Sequence, residues 1–264
     1  MNKTVLSTLG MLLLSTQAQA APDSSNDRLE QIAERGVLRV CTTGDYRPYS
    51  YLRPDGEYEG IDIDMARSLA DSIGARVQWV PTTWKALMPD FVAKGCDIGV
   101  GGISVTLERQ RKAWYAESLG TDGKIPLVRC DDVVRYRTVE QLNHQDVRVI
   151  EPPGGTNEAF VRHYLPDASL ALYDDNVTIF QQLVDKHADV MITDASEALY
   201  QQQHMPELCA VNPGEPLQYG EKAYLLPRGD MDWKQYVDQW LHLSTATGEY
   251  GKIATHWIGT VPSS

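Results

Sequence analysis

Strand-like and helix-like segments alternate twice along this chain, and that alternation limits its fold more than any other feature. A helix at 27–35 ends at Gly36, and an apolar strand follows at 37–42. Residues 63–73 have helical spacing closed by Gly74, 76–80 alternate as a strand, and 84–93 form a helix ending at Gly95 before a buried strand at 97–102. A second series begins after Gly123. It has strands at 125–128, 147–150, 169–173 and 188–192, with helices at 139–142, 157–164, 177–186 and 195–203. A strand at 223–226 and a long amphipathic helix at 233–247 close the chain. Parallel neighbours need crossover helices, so this rhythm predicts an α/β fold built on two mostly parallel sheets flanked by helices. Each series has about the length of an ordinary domain.

Ligands in such folds sit beyond the carboxyl ends of the strands, where loops converge. Those loops hold Tyr46, Trp84, Ser104, Arg109, Thr156, Asp194 and Glu197. Residues 101–109 leave a strand through Gly101-Gly102 and enter a short helix, a design that admits a ligand to the backbone and favours an anion. Arg109 there is either a two-point grip on a carboxylate or a solvated helix residue. Residues 152–158 (Pro-Pro-Gly-Gly-Thr-Asn-Glu) repeat the design, without the Gly-Lys-Ser/Thr of a Walker loop. Gly-x-Ser-x-Gly is absent, and His144, His163, His187, His204, His242 and His256 read as surface residues. Trp84 is either core or a substrate wall. Asp194-Ala195-Ser196-Glu197 has capping-box spacing at a strand-to-helix turn, so its two acids either cap a helix or carry chemistry.

Charge and targeting narrow the setting. The net charge is −12 with no basic segment, which argues against nucleic acid but leaves room for an anion in a locally positive cleft. Lys3, the short apolar run 5–14 and Ala18-Gln19-Ala20 predict a signal peptide cleaved after Ala20 and an exported protein, with no membrane insertion. Export favours disulfides for Cys41, Cys96, Cys130 and Cys209 over metal or reactive thiols. Placement on predicted strands favours 41–96 and 130–209, although three connectivities are open.

Asp45-Tyr46-x-Pro-Tyr49, Gly60-Ile61-Asp62-Ile63-Asp64, Ser104-Val105-Thr106-Leu107-Glu108-Arg109, Gly155-Thr156-Asn157-Glu158 and Thr193-Asp194-Ala195 occur together in this order. As a set they resemble the type II periplasmic amino-acid-binding proteins, from about residue 27 to 258. The resemblance implies two lobes joined by a two-stranded hinge, with lobe one at 27–122 plus 221–264 and lobe two at 123–220. Longer runs resemble the periplasmic cyclohexadienyl dehydratases of that superfamily. They are Thr42-Thr43-Gly44-Asp45-Tyr46, Asp122-Gly123-Lys124, Pro153–Glu158, residues 175–182, residues 206–211 and residues 221–228.

That likeness implies conversion of prephenate to phenylpyruvate and of L-arogenate to L-phenylalanine, with no metal or organic cofactor. It makes Glu197 the general acid and Arg109 the holder of a substrate carboxylate, with the Ser104 and Thr156 loops. Asp194 faces a ligand amino group, Trp84 is a cleft aromatic, and Tyr46, Gly102 and Lys222 complete the substrate-binding set. One departure is Pro152, where those enzymes are expected to carry Asn. The competing expectation is an amino-acid-binding protein serving an ABC transporter, which has no use for a second cleft acid such as Glu197.

Overall fold

The computed structural model describes residues 27–258, so the signal-peptide reading at 1–20 lies outside the described residues. The Asp27 carboxylate caps α1 (Arg28–Arg35) at Glu30 N, and Gly36 ends that helix in a left-handed conformation. β1 (Val37–Thr42) follows, then a small antiparallel sheet of β2 (Asp45–Tyr46), β3 (Ser50–Leu52) and β4 (Tyr58–Glu59). The first run continues with α2 (Ile61–Ile73), β5 (Arg76–Pro81), α3 (Leu87–Ala93), β6 (Ile98–Gly99), α4 (Leu107–Gln110) and β7 (Trp114–Tyr115). A long strand, β8 (Gly120–Arg129), opens the second run and passes through a 3-10 turn (Cys130–Arg135) into α5 (Val139–Leu142) and β9 (Arg148–Glu151). Next come α6 (Thr156–Tyr164), β10 (Ser169–Leu172), α7 (Ile179–Val184), β11 (Val190–Asp194), α8 (Ala195–His204), β12 (Leu208–Ala210) and β13 (Gln218–Lys222). The chain then returns through β14 (Leu225–Leu226) to α9 (Met231–Ala246) and α10 (Glu249–Ile258).

Two sheets result. The first has the order β5-β1-β6-β14-β7, with β5-β1-β6 parallel and the returning β14 inserted antiparallel between β6 and β7. The second runs β10-β9-β11-β8-β12, with β10-β9-β11 parallel and β8 antiparallel to β11 and β12. β13 pairs with the N-terminal half of β8, Gln218 opposite Lys124 through Lys222 opposite Gly120. This ribbon links the second sheet to the chain that returns to the first.

The central strands of the second sheet carry apolar side chains on both faces because both faces are covered. Val149, Val190 and Ile192 pack on Phe160 and Val161 of α6. Their neighbours Ile150 and Met191 point the other way, with Ile125 and Leu127, onto Ile179, Phe180 and Ala198 of α7 and α8. Each such buried side chain contributes about 1.5–3 kcal/mol. In the first lobe Leu38, Val40, Met65, Leu69, Ile98 and Trp233 form the equivalent core, with Trp233 Nε1 donating to Asp97 O at 2.8 Å.

Several element ends differ from those read off the sequence. The predicted 84–93 helix starts only at Leu87, because Ala86 N is taken by the Thr83 hydroxyl in a turn that leaves Trp84 outside the helix. The predicted strand 97–102 shrinks to two residues, since Gly101 and Gly102 have φ of 117° and 69° and bend the chain away. The predicted strand 188–192 lies two residues later and carries Asp194 at its end. Gly248, at φ 79°, separates α9 from α10, and α10 was not anticipated. Cys41–Cys96 and Cys130–Cys209 are the disulfides, although Cys130 stands one residue beyond β8 rather than within a strand.

Candidate active site

Strand register builds the centre of the site. Antiparallel pairing sets Asp194, the last residue of β11, opposite Lys124 of β8, and Lys124 Nζ lies 2.8 Å from Asp194 Oδ1. Lys222, the last residue of β13, pairs its ammonium with Oδ2, and Tyr46 OH donates to the same oxygen at 2.6 Å. All four side chains are buried. A buried charge persists only when paired and hydrogen-bonded, and here one carboxylate answers two ammonium groups. Burial alone would raise the Asp194 carboxyl, but Lys124 and Lys222 outweigh it and hold the group well below the usual carboxylate range.

The two acids of the Asp194–Glu197 turn do not form a capping box. Asp194 occupies the N-cap position of α8 with an extended backbone, yet its side chain makes no capping bond. Asp122 of β8 supplies the cap instead, accepting from Ser196 N at 3.2 Å and Ser196 Oγ at 2.6 Å. Glu197 is freed from the backbone and accepts at Oε2 from the Thr193 hydroxyl. It has no solvent exposure, and its Oε1 has no hydrogen-bond partner among the described residues. Burial, with the Asp194 charge acting in the same direction, pushes the Glu197 carboxyl up to about 8.

The glycine loop at 101–102 has a different role from the anion site its sequence suggests. Asp62 of α2 takes both N–H groups on Oδ2, at 2.9 Å from Gly101 and 2.7 Å from Gly102. What Gly102 provides is close approach: a Cβ there would lie 2.6 Å from ring carbons of Tyr46 and Tyr49. Arg109 is buried rather than solvated. Its Nη1 donates to Ser104 O at 2.8 Å, so it braces the Ser104 loop from behind. Ser104 Oγ lies 3.2 Å from Lys222 Nζ and 3.5 Å from Thr156 Oγ1, and Thr156 Oγ1 accepts from Lys124 at 2.9 Å.

Tyr46, Trp84, Gly102, Ser104, Thr156 and Asp194 thus line one cavity between the lobes, with Pro152, Asn157 and Asn176. Trp84 meets Tyr46 edge-on at 5.3 Å, forming a wall. Glu197 borders the adjoining cavity with Asp45, Arg47 and Tyr200, and Asn176 lines both. Sequence reasoning missed Lys124, Asn157 and Asn176. A lysine immediately before the apolar run of β8, and buried with it, was a weak signal for the first. Pro152 does supply no amide, but Asn157 and Asn176 bring two to the same cavity.

The lobes meet closely around this cavity. Asn176 Nδ2 donates across to Asp45 O at 3.0 Å, and a Cβ on Gly154, whose φ is 85°, would lie 2.5 Å from Lys85 Cα. Gly154→Ala should therefore block closure as well as strain its own backbone. We expect kcat/KM to fall by about 10²-fold. Small-angle scattering with substrate present should keep the open radius of gyration. A variant that still compacts like the wild type would refute this role.

Comparison with known proteins agrees with this geometry. Residues 38–260 match the family described as bacterial extracellular solute-binding proteins, family 3. The chain is 49% identical over 245 residues to cyclohexadienyl dehydratase of Pseudomonas aeruginosa, covering 93% of this chain and 91% of that one. It is 25% identical to the L-cystine-binding protein TcyJ of Escherichia coli K12, over 95% of this chain and 94% of that one. Among solved structures, an ancestral amino acid-binding protein described as a precursor of cyclohexadienyl dehydratase superposes with a TM-score of 0.80. It shares 32% identity over 87% of this chain and 99% of its own. An ancestral cyclohexadienyl dehydratase gives a TM-score of 0.57 at 48% identity, over 89% of this chain and 98% of its own.

Proposed function

The chain belongs to family 3 of the bacterial extracellular solute-binding proteins, and we propose that it is a cyclohexadienyl dehydratase of the periplasm, a lyase acting on prephenate and L-arogenate. The observation that carries this reading is Glu197, a buried carboxyl with one free oxygen, one helical turn from Asp194.

Prephenate is one elimination short of an aromatic ring. The bond from the ring to its carboxylate breaks to release carbon dioxide, and the electron pair enters the ring. The carbon–oxygen bond at the ring hydroxyl breaks as Glu197 protonates that oxygen, and water leaves. Glu197 then recovers a proton from solvent when the lobes open, so the balance is prephenate plus one proton to phenylpyruvate, carbon dioxide and water. An acid poised near the working pH suits this transfer. Closure about the β8–β13 ribbon excludes water and keeps Glu197 neutral until the hydroxyl is in reach.

The remaining residues orient the substrate. Ser104 and Thr156 place hydroxyls on the cavity, with Lys222 beside them and Arg109 bracing the loop, which suits a side-chain carboxylate. Tyr46 and Trp84 form the wall for the ring. Asp194, which in an amino-acid carrier would face the ligand's ammonium, already holds Lys124 and Lys222. A keto acid such as prephenate makes no claim on it. L-Arogenate, like an amino-acid cargo, carries an ammonium that would have to displace one of these lysines, so the pairing favours prephenate and disfavours the transport reading.

The test is purified protein incubated with prephenate or L-arogenate, product being read as the alkaline absorbance of phenylpyruvate or by chromatography of phenylalanine. Calorimetry with L-arginine and L-cystine runs alongside. Turnover with no amino-acid binding is expected. Tight binding of an ordinary amino acid without turnover would overturn the proposal.

A further inference from the structure

Thr193 and Asn157 perform no step in the mechanism above, yet both are buried next to Glu197. They form a chain of hydrogen bonds whose direction is set from one end. The Lys124 ammonium can only donate, and it donates to Asn157 Oδ1. Asn157 must then present its NH2 to Thr193, whose Oγ1 lies 3.4 Å from Nδ2. A hydroxyl that accepts on that side has its own proton free, and Thr193 donates it to Glu197 Oε2. Lys124 is itself anchored by Asp194 and Thr156, so the polarity at the lysine end is fixed by three partners.

We infer that Asn157 and Thr193 are positioning residues that confine the proton of Glu197 to Oε1, the oxygen with no partner among the described residues. The inference rests on the reading of Glu197 as the general acid. A proton on Oε2 would face the Thr193 hydrogen. To accept it, the hydroxyl would have to swing its own proton away from Glu197, where no other acceptor stands among the described residues, leaving a buried O–H unpaired. Loss of one buried hydrogen bond disfavours that arrangement by about tenfold or more. The acid thereby keeps its proton on the free oxygen, with Oε2 serving as the carbonyl oxygen that Thr193 holds still.

The other titratable groups around Glu197 are Asp45 and Tyr46 from the first lobe, Asp194 and Lys222 at the strand ends, and Glu151 on β9. Arg47 and His204 stand across the adjoining cavity. None of these has a hydrogen bond to either carboxyl oxygen, so among the described residues the Thr193 contact alone tells the two oxygens apart.

Three variants test this. Thr193→Val should lower kcat by about tenfold with KM unchanged, and move the alkaline limb of the kcat profile to higher pH, because a donor that favours the charged acid is gone. Asn157→Asp should act in the same direction, since a carboxylate at 157 would draw the Thr193 proton away from Glu197. Thr193→Ser keeps the hydroxyl and should restore the wild-type limb. A second readout needs no substrate. In the infrared spectrum of ligand-free protein at neutral pH, the carbonyl band of the neutral Glu197 carboxyl, assigned by its loss in Glu197→Gln, should move to higher frequency in Thr193→Val and Asn157→Asp but not in Thr193→Ser. If Thr193→Val leaves band and limb in place, or if Thr193→Ser shifts them as far, the inference is wrong. Band shifts as expected in a protein that never turns over prephenate would instead overturn the proposed function and leave the hydrogen-bond chain standing.

Discussion

Glu197→Gln is expected to lower kcat for prephenate by about 10²–10⁴-fold, the usual contribution of a positioned general acid. The amide keeps the shape and can still accept from Thr193, so KM and substrate-induced thermal stabilisation should survive. The wild-type kcat should fall as pH rises through about 8, where Glu197 loses its proton. Stability follows the same group. Its folded pKa lies above the ordinary 4.5, so its contribution is complete below about 4.5 and is lost as pH rises through about 8. Thermal melting of the ligand-free wild type should therefore decline across that window more steeply than that of Glu197→Gln. Full activity in the variant, or parallel melting profiles, would remove Glu197 from the role of acid.

Asp194→Asn should be the most destabilising single change in the site. It removes the one carboxylate among the described residues that both Lys124 and Lys222 contact, leaving Lys124 without a carboxylate partner and Lys222 with only Asp122 at 4.0 Å. Breaking a buried ion pair from one side costs about 3–5 kcal/mol. Urea unfolding at neutral pH should show a loss of that size, and Lys124→Met added to Asp194→Asn should recover part of it. The pH dependence has the opposite sign to that of Glu197. Asp194 is held below its ordinary 3.8, so its stabilisation is present above that value and is lost as pH falls below it. A loss under about 1 kcal/mol, the level of an exposed pair, would show that the lysines do not depend on Asp194.

These two expectations depend on different kinds of information. The strand–helix rhythm and the family motifs point to the lobes and to the loop residues Tyr46, Ser104, Thr156, Asp194 and Glu197, because periodicity and short motifs are local in sequence. Lys124 has no local signal beyond its place at the head of the apolar run of β8, since its importance comes from antiparallel pairing with β11, seventy residues away. Similarly, the N–H groups of Gly101 and Gly102 look free for an anion until α2 is seen to bring Asp62 beneath them. The capping-box spacing is real in sequence and unused in space, because Asp122 caps α8 from another strand.

The alternation of strands and helices, the oxidised cysteines, and the two acids one helical turn apart at the end of a buried strand are all legible in the residues alone. Periodicity, composition and spacing carry those facts along the chain. The charge state of each acid is set in three dimensions. Asp194 stands opposite two lysines and is held ionised, whereas Glu197 is fully buried, has no cation bonded to it among the described residues, and is pushed toward its neutral form. Charge state depends on burial and on partners within a few ångströms, and here those partners come from strands far apart in sequence.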